Sequence, residues 1–262
     1  MAVDDDLLAQ LVQFLSSTES RNKVYRLIQY SAKLSKWTLM TMWRLRPEDL
    51  RELAHVPEHK PPNAVNGHTH KASTAEKESS TKTAVRRVAA MLSRVEGLFA
   101  DGRKVYRLLQ FLEMLDMLRH VHEPEAAVRV LRRLRIVCFF FFNLLENYMM
   151  ILLRIKLLPH RDPRVVFLKR ACNGFWCLSI VLAFPLDHLM HRNSHLSTIK
   201  KLLDLPVAYL AFADHRVNDG LFSLLGVASA NIGVYLRWIE VVRKMQSKQS
   251  SIRAPPIMPA LK

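Results

Sequence analysis

Glycine and cysteine are scarce in this chain. Only 7 of the 262 residues are glycine, which disfavours a turn-rich β fold and agrees with long helices. The glycines are also too sparse for a phosphate-binding loop, and no Gly-x-Ser-x-Gly or Walker pattern occurs. The 3 cysteines lack the spacing of a disulfide framework, which argues against a small secreted scaffold.

The histidines form short clusters, but their surroundings do not predict a metal site. His188, His191 and His195 share one stretch, and His120 and His122 form a pair. Neither group has a cysteine or a supporting acid at the spacing that metal ligands show. We interpret them as solvated loop histidines, and we expect no metal, no cofactor and no enzymatic activity.

Acidic residues are the next deficit. The chain has 39 Lys and Arg against 23 Asp and Glu, which gives a formal net charge of +16. Such a surplus suits either nucleic acid or a membrane surface. No zinc-finger or RNP signature is present, and the apolar residues gather in blocks in the C-terminal half. We therefore predict an anionic phospholipid membrane as the partner, and no nucleic acid.

Composition and periodicity divide the chain into five regions. We predict an N-terminal amphipathic helical region (1–54), a disordered linker (55–82), a second basic amphipathic helical region (83–123), a hydrophobic helical membrane region (124–246) and a flexible tail (247–262). The predicted fold class is all-α. It is a membrane-associated helical bundle with amphipathic helices and one to three membrane-embedded helices.

The chain contains an internal repeat. The octet at residues 23–30 recurs at residues 104–111, and the first five residues of the two copies are identical. On a helix, each copy has an apolar side, a basic side and aromatic residues at the borders. Such a helix either lies in a bilayer interface or packs its apolar side into a protein core, and periodicity leaves both open.

The bilayer interpretation assigns particular residues to the membrane surface. The second copy contributes Lys104, Arg107, Leu108, Leu109 and Leu112. The first copy contributes Lys23, Arg26, Leu27 and Ile28. The cations would meet anionic headgroups, at about 1 kcal/mol each, and the aliphatic side chains would enter the acyl boundary.

Three apolar blocks are candidates for membrane spans, which need about 20 apolar residues. Residues 136–153 approach that length but include Glu146, and an acid inside a bilayer needs a partner. Residues 171–186 are short. Residues 220–236 carry no charge and are the best candidate.

Small residues form one face of the segment 220–236. They are Gly226, Ser229, Ala230 and Gly233. Small residues four apart let two helices approach closely. We predict a helix-packing face here, used either for self-association or for packing within the chain.

In their order along the chain, these features resemble the peroxin-11 family of peroxisomal membrane proteins. The segments that carry the resemblance are residues 14–15, 21–30, 103–115, 143–158, 173–176, 203–208 and 220–235. Ser20 and Asn22 stand where the family's N-terminal motif has Gly and Asp. The resemblance implies a protein of the peroxisomal membrane (the glycosomal membrane in kinetoplastids) that self-associates, inserts a basic amphipathic helix, elongates the membrane and helps to recruit the fission machinery.

Two other functions stay open on the residues alone. A small-solute pore or transporter would use Asn143, Glu146 and Asn147 inside an apolar helix. A peripheral helical adaptor would instead bury the apolar blocks in a soluble core.

Overall fold

The fold is helical throughout the part of the chain that the structure, a computed structural model, describes: residues 2–46, 48, 73–159, 162–191, 194–214 and 218–253. Within these ranges there are eight α-helices and no strand. They are α1 (Ala2–Ser16), α2 (Thr18–Met42), α3 (Ser73–Tyr106), α4 (Gln110–Arg119), α5 (Ala126–Arg154), α6 (Pro163–Leu189), α7 (His195–Ala213) and α8 (Asp219–Arg253). The all-α prediction is confirmed.

Short polar side chains mark the start of two of the longer helices. The hydroxyl of Ser17 accepts a hydrogen bond of 3.3 Å from the backbone N–H of Ser20 at the start of α2. Asp162 accepts one of 2.8 Å from the N–H of Arg164 at the start of α6. Pro163 fits the first turn of α6 because a helix has no internal partner for an N–H there.

Six helices follow one another around the bundle. The order of neighbours is α3, α2, α8, α7, α6 and α5, and α5 returns to touch α3. Helix α4 packs on α5, and α1 packs against α2 and α8. Side-chain contacts show that α2 and α8 run antiparallel, because Trp37 faces Gly220 while Lys23 faces Gly233. The N-terminal helices are therefore part of the same bundle as the apolar ones.

Three helices are long and apolar enough to cross a membrane. They are Ala126–Arg154, Pro163–Leu189 and the part Asp219–Ser247 of α8. At most 33% of the most apolar window of each is fully buried inside the bundle. This confirms the predicted membrane-associated bundle. The short block at 171–186 lies within the much longer helix α6, which continues through Pro185.

Several helix ends differ from the bounds of the predicted regions. Helix α3 begins at Ser73, inside the predicted linker, whose residues 55–72 lie outside the described part. Helix α8 runs to Arg253, so the predicted loose tail begins as a helix, and residues 254–262 are likewise outside the description. The helical pattern expected from residue 83 to about 121 is broken at residues 107–109. The apolar stretch between residues 202 and 242 is divided between two helices, because α7 ends at Ala213 and α8 begins at Asp219, and the predicted span 220–236 lies within α8.

Candidate membrane-binding site

The two copies of the repeat contact each other across α2 and α3. Tyr25 and Tyr106, which are equivalent positions of the two octets, place their hydroxyls 3.1 Å apart and their ring centroids 5.1 Å apart. Arg103, just before the second octet, donates hydrogen bonds to the side-chain oxygens of Asn22 at 3.1 Å and Gln29 at 2.7 Å. The repeat therefore forms an interface within the chain.

The arginine of the first copy points into the bundle. Arg26 forms a buried ion pair with Asp204 of α7. The same carboxylate accepts hydrogen bonds from Lys200 at 2.5 Å and from the hydroxyl of Ser229 at 2.5 Å. Burial opposes ionisation, but Arg26 and Lys200 outweigh it and lower the pKa of Asp204 to about 2. This cluster joins α2, α7 and α8.

The arginine of the second copy makes the corresponding contact with a different helix. Arg107 donates a hydrogen bond of 2.8 Å to Glu146 of α5, and the two side chains are only 13% and 12% exposed. The backbone carbonyl of Arg107 also accepts a hydrogen bond from the amide of Asn147 at 3.4 Å. Arg107 is thus the partner that an acid inside an apolar helix requires.

The remaining cations of the repeat region also lie near one another. Burial and the neighbouring Lys200 lower the pKa of Lys23 to about 8. Burial and the neighbouring Arg107 lower the pKa of Arg103 to about 9. Arg103 bonds to two amide oxygens rather than to a carboxylate. Lys23 and Arg26 of the first copy and Arg103 and Arg107 at the second therefore point into the bundle, which periodicity alone could not indicate.

Helix α3 ends at Tyr106, and the chain turns before α4 begins at Gln110. Leu109 has a φ of 62°, in the left-handed region, which costs a non-glycine residue about 1–2 kcal/mol. Backbone hydrogen bonds close the turn from Leu108 N–H to the carbonyl of Val105 at 3.0 Å and from Gln110 N–H to that of Arg107 at 3.1 Å. The break directs Arg107 inward while Leu108 and Leu109 stay on the outside.

Exposed apolar side chains follow one another along α3 and α4. We call them the outer stripe, and they are Met91, Leu98, Val105, Leu108, Leu109, Leu112 and Leu115. These side chains are between 40% and 69% exposed. In contrast, Leu27 and Ile28 of the first copy are half-buried. The second copy thus presents an apolar face to its surroundings, and the first copy presents much less. Lys104, which also belongs to the second copy, pairs with Asp101 at 3.2 Å at the surface.

The small-residue face of α8 is occupied within the chain. A Cβ atom added at Gly226 would overlap the ring of Tyr30, and one added at Gly233 would lie 3.3 Å from Cε of Lys200 and 3.8 Å from Cδ of Lys23. Ser229 binds Asp204, as described above, and Ala230 is buried. These four positions let α2 and the lysines approach α8 closely, whereas their part in self-association stays a prediction.

A family model for peroxisomal biogenesis factor 11 (PEX11) matches residues 72–187. The match supports the resemblance to the peroxin-11 family that the sequence predicts. The matched part contains α3 and α4 with the outer stripe, and also the first two of the three apolar helices. No curated protein and no solved structure gives a significant match.

The matched family indicates the general role. It implies a peroxisomal membrane protein involved in peroxisome proliferation, and it is a family of biogenesis factors, not a known enzyme family. The three candidate spans agree with a place in the membrane.

Sequence reasoning missed Asp204 and Lys200, which hold the first copy of the repeat. The signal was present, because Asp204 stands between leucines in an apolar stretch of the chain. A carboxylate in such a stretch needs a cation when the helix is buried. The extension of the outer stripe to Met91 and Leu98 was visible only as a helical spacing of seven residues.

Proposed function

We propose that the chain elongates the peroxisomal membrane by inserting the outer stripe of α3 and α4 into one leaflet. The observation that carries this proposal is the exposure of that stripe on helices that pack against α5, the first of three helices that are long and apolar enough to cross a bilayer. Exposed apolar surfaces of this extent mark interaction sites in folded proteins. A surface next to membrane spans has the bilayer as its nearest apolar partner.

The proposed mechanism differs from the simple picture of an amphipathic helix. Arg103 and Arg107 bond to α2 and α5 rather than to headgroups, so they fix the stripe to the bundle and, through Arg107, to the first candidate span. An apolar wedge that enters a leaflet to about 5–10 Å expands that leaflet and favours positive curvature. Because the wedge is attached to spanning helices, it stays at a set depth.

Self-association and recruitment of the fission machinery complete the proposal. Many copies held together would add their wedges, and the family resemblance implies both partners. The pore alternative has less support, because Glu146 is neutralised by Arg107 within the bundle.

The test uses the full chain, tagged and overexpressed in cells with labelled peroxisomes. The double variant Leu108→Ser/Leu112→Ser removes apolar surface at two exposed positions, and we expect it to reach peroxisomes without elongating them. The matched control Leu108→Phe/Leu112→Phe keeps both positions apolar and should elongate them as the original chain does. Equal elongation by the serine variant would refute insertion of the stripe.

A further inference from the structure

A groove lies between the start of α7 and the last turns of α8. It has a volume of about 520 Å³, and its lining is Ser194, Leu196, Leu236, Ile239, Glu240, Arg243, Lys244 and Ser247. None of these residues belongs to the outer stripe or to the two buried ion pairs. The lining combines three apolar residues, Leu196, Leu236 and Ile239, with two cations, Arg243 and Lys244, and one acid, Glu240.

Among the charged residues of the lining, Arg243 is available to bind an anion. Glu240 also lines the groove, but its carboxylate is engaged by Arg237 at 2.7 Å and by Lys244 at 2.7 Å. Arg243 is exposed and has no ion-pair partner among the residues that the structure describes. A guanidinium with this freedom presents the donor geometry that a phosphate group binds.

The groove lies at the level expected for lipid headgroups. The uncharged part of the third candidate span ends at Arg237, and Trp238 follows it, packed against Phe14 with ring centroids 5.4 Å apart. Tryptophan and arginine at this position are typical of a membrane boundary. Arg243 is five residues after Trp238, about 7 Å along the helix axis. This distance matches a headgroup layer about 5–7 Å thick.

An apolar track leads from the groove toward the middle of the bundle. Leu196, Ile199 and Leu202 follow one another on α7 at intervals of three residues, and they are 39%, 45% and 55% exposed. Residues three apart are neighbours on one helix face. An acyl chain that starts at the groove would run along these side chains into the bilayer.

We propose that this groove binds one anionic phospholipid, with the phosphate against Arg243 and an acyl chain on the track of α7. The apolar lining residues, the free cation and the boundary level together select a lipid rather than a soluble anion. The site is separate from the outer stripe, so lipid binding there does not depend on membrane elongation.

The experiment measures lipid retained by the full-length chain. The protein is purified in mild detergent with phosphatidylcholine and phosphatidic acid, and bound lipids are counted by native mass spectrometry. We expect one retained phosphatidic acid, and about fivefold weaker retention in Arg243→Gln, since one cation near an anionic headgroup is removed. Arg133→Gln is the matched control, because Arg133 is an exposed arginine early in α5, outside the groove lining.

A second variant tests the apolar lining residues. Leu196→Trp fills the groove without changing its charge and should also reduce retention, while the thermal midpoint of both variants stays that of the original chain. Equal retention by Arg243→Gln and Arg133→Gln would overturn the proposal, as would displacement of the lipid by excess glycerol phosphate. If the original chain were a dimer and Arg243→Gln were a monomer, the groove would instead bind a second copy of the chain, and the lipid proposal would be overturned.

The double variant Leu108→Ser/Leu112→Ser should retain phosphatidic acid normally. Failure of the elongation mechanism and failure of the lipid site are therefore separate results.

Discussion

Arg107 donates a hydrogen bond of 2.8 Å to Glu146, and this contact joins the break between α3 and α4 to the first candidate span. Both side chains are nearly buried. Among the described residues, the second oxygen of Glu146 has no hydrogen-bond partner. Arg107 is therefore the main group that offsets the cost of burying this carboxylate. This ion pair is therefore the buried charge contact between the outer stripe and the span, beside the surface pair of Asp101 with Arg154 and the ring contact of Phe111 with Phe140.

Replacement of Glu146 by leucine should destabilise the chain strongly. The substitution leaves the guanidinium of Arg107 buried without a counter-charge, which costs about 3–5 kcal/mol in comparable pairs. We expect a clear fall in the thermal unfolding midpoint of the full chain in mild detergent. The double variant Arg107→Met/Glu146→Leu should recover most of the loss, because no unpaired charge remains.

The control for this prediction is Asp116→Asn. Asp116 is exposed and lies 3.4 Å from His120, so its loss should leave the midpoint unchanged. If Glu146→Leu behaved like Asp116→Asn, the pair would have no role in holding α4.

The tyrosines of the repeat should be energetically coupled. Their hydroxyls are 3.1 Å apart, and one neutral hydrogen bond contributes about 1 kcal/mol to stability. Tyr25→Phe and Tyr106→Phe, alone and together, form a double-mutant cycle in which each single variant removes the same bond. We expect a coupling free energy of about 1 kcal/mol from unfolding in detergent. Additive losses would show that the two copies pack without this bond.

The helical class and the candidate spans could be predicted because they depend on composition and on long apolar runs. The chain has few glycines and its apolar residues form blocks, and both features predict a bundle of long helices. The contact between the two copies was not predictable, because a repeat tells which residues are alike and not where they pack.

The direction of the basic faces could not be read from periodicity. A cationic side of a helix faces water, headgroups or a buried acid, and the pattern is the same in all three cases. Asp204 and Glu146 decide the matter here, since each is an acid in an apolar stretch that needs a cation. The turn at Leu109 was also hidden, because no glycine or proline marks it.

Replacement of Gly226 by alanine should destabilise the contact between α2 and α8. The new methyl group would overlap the ring of Tyr30, and overpacking of this kind costs about 1–3 kcal/mol. Gly97→Ala is a matched control, because no atom lies within 4 Å of the added Cβ and α3 is helical there. That control should raise stability by about 0.5–1 kcal/mol, as alanine favours the helix. If Gly226→Ala changed the oligomeric state but not the unfolding midpoint, the face would serve self-association instead.

The cluster around Asp204 should make the chain sensitive to acid. The ordinary pKa of 3.8 falls to about 2 in the fold, where Arg26 and Lys200 overcome the effect of burial. The folded carboxylate therefore holds its charge more firmly than the unfolded one. The resulting stability, about 2 kcal/mol, is complete above pH ~4 and is lost as the pH falls through ~2.

The measurement is the unfolding midpoint in mild detergent between about pH 5 and pH 2, for the original chain and for Asp204→Asn. At the upper pH the variant should be the less stable of the two, because Arg26 loses its counter-charge. As the pH falls, the difference between them should shrink, since the original chain loses its own carboxylate charge. Other acids titrate in both proteins and cancel in the comparison. Two midpoints that fall in parallel over the whole interval would mean that Asp204 titrates as an ordinary carboxylate, and that the pair with Arg26 does not stabilise the bundle.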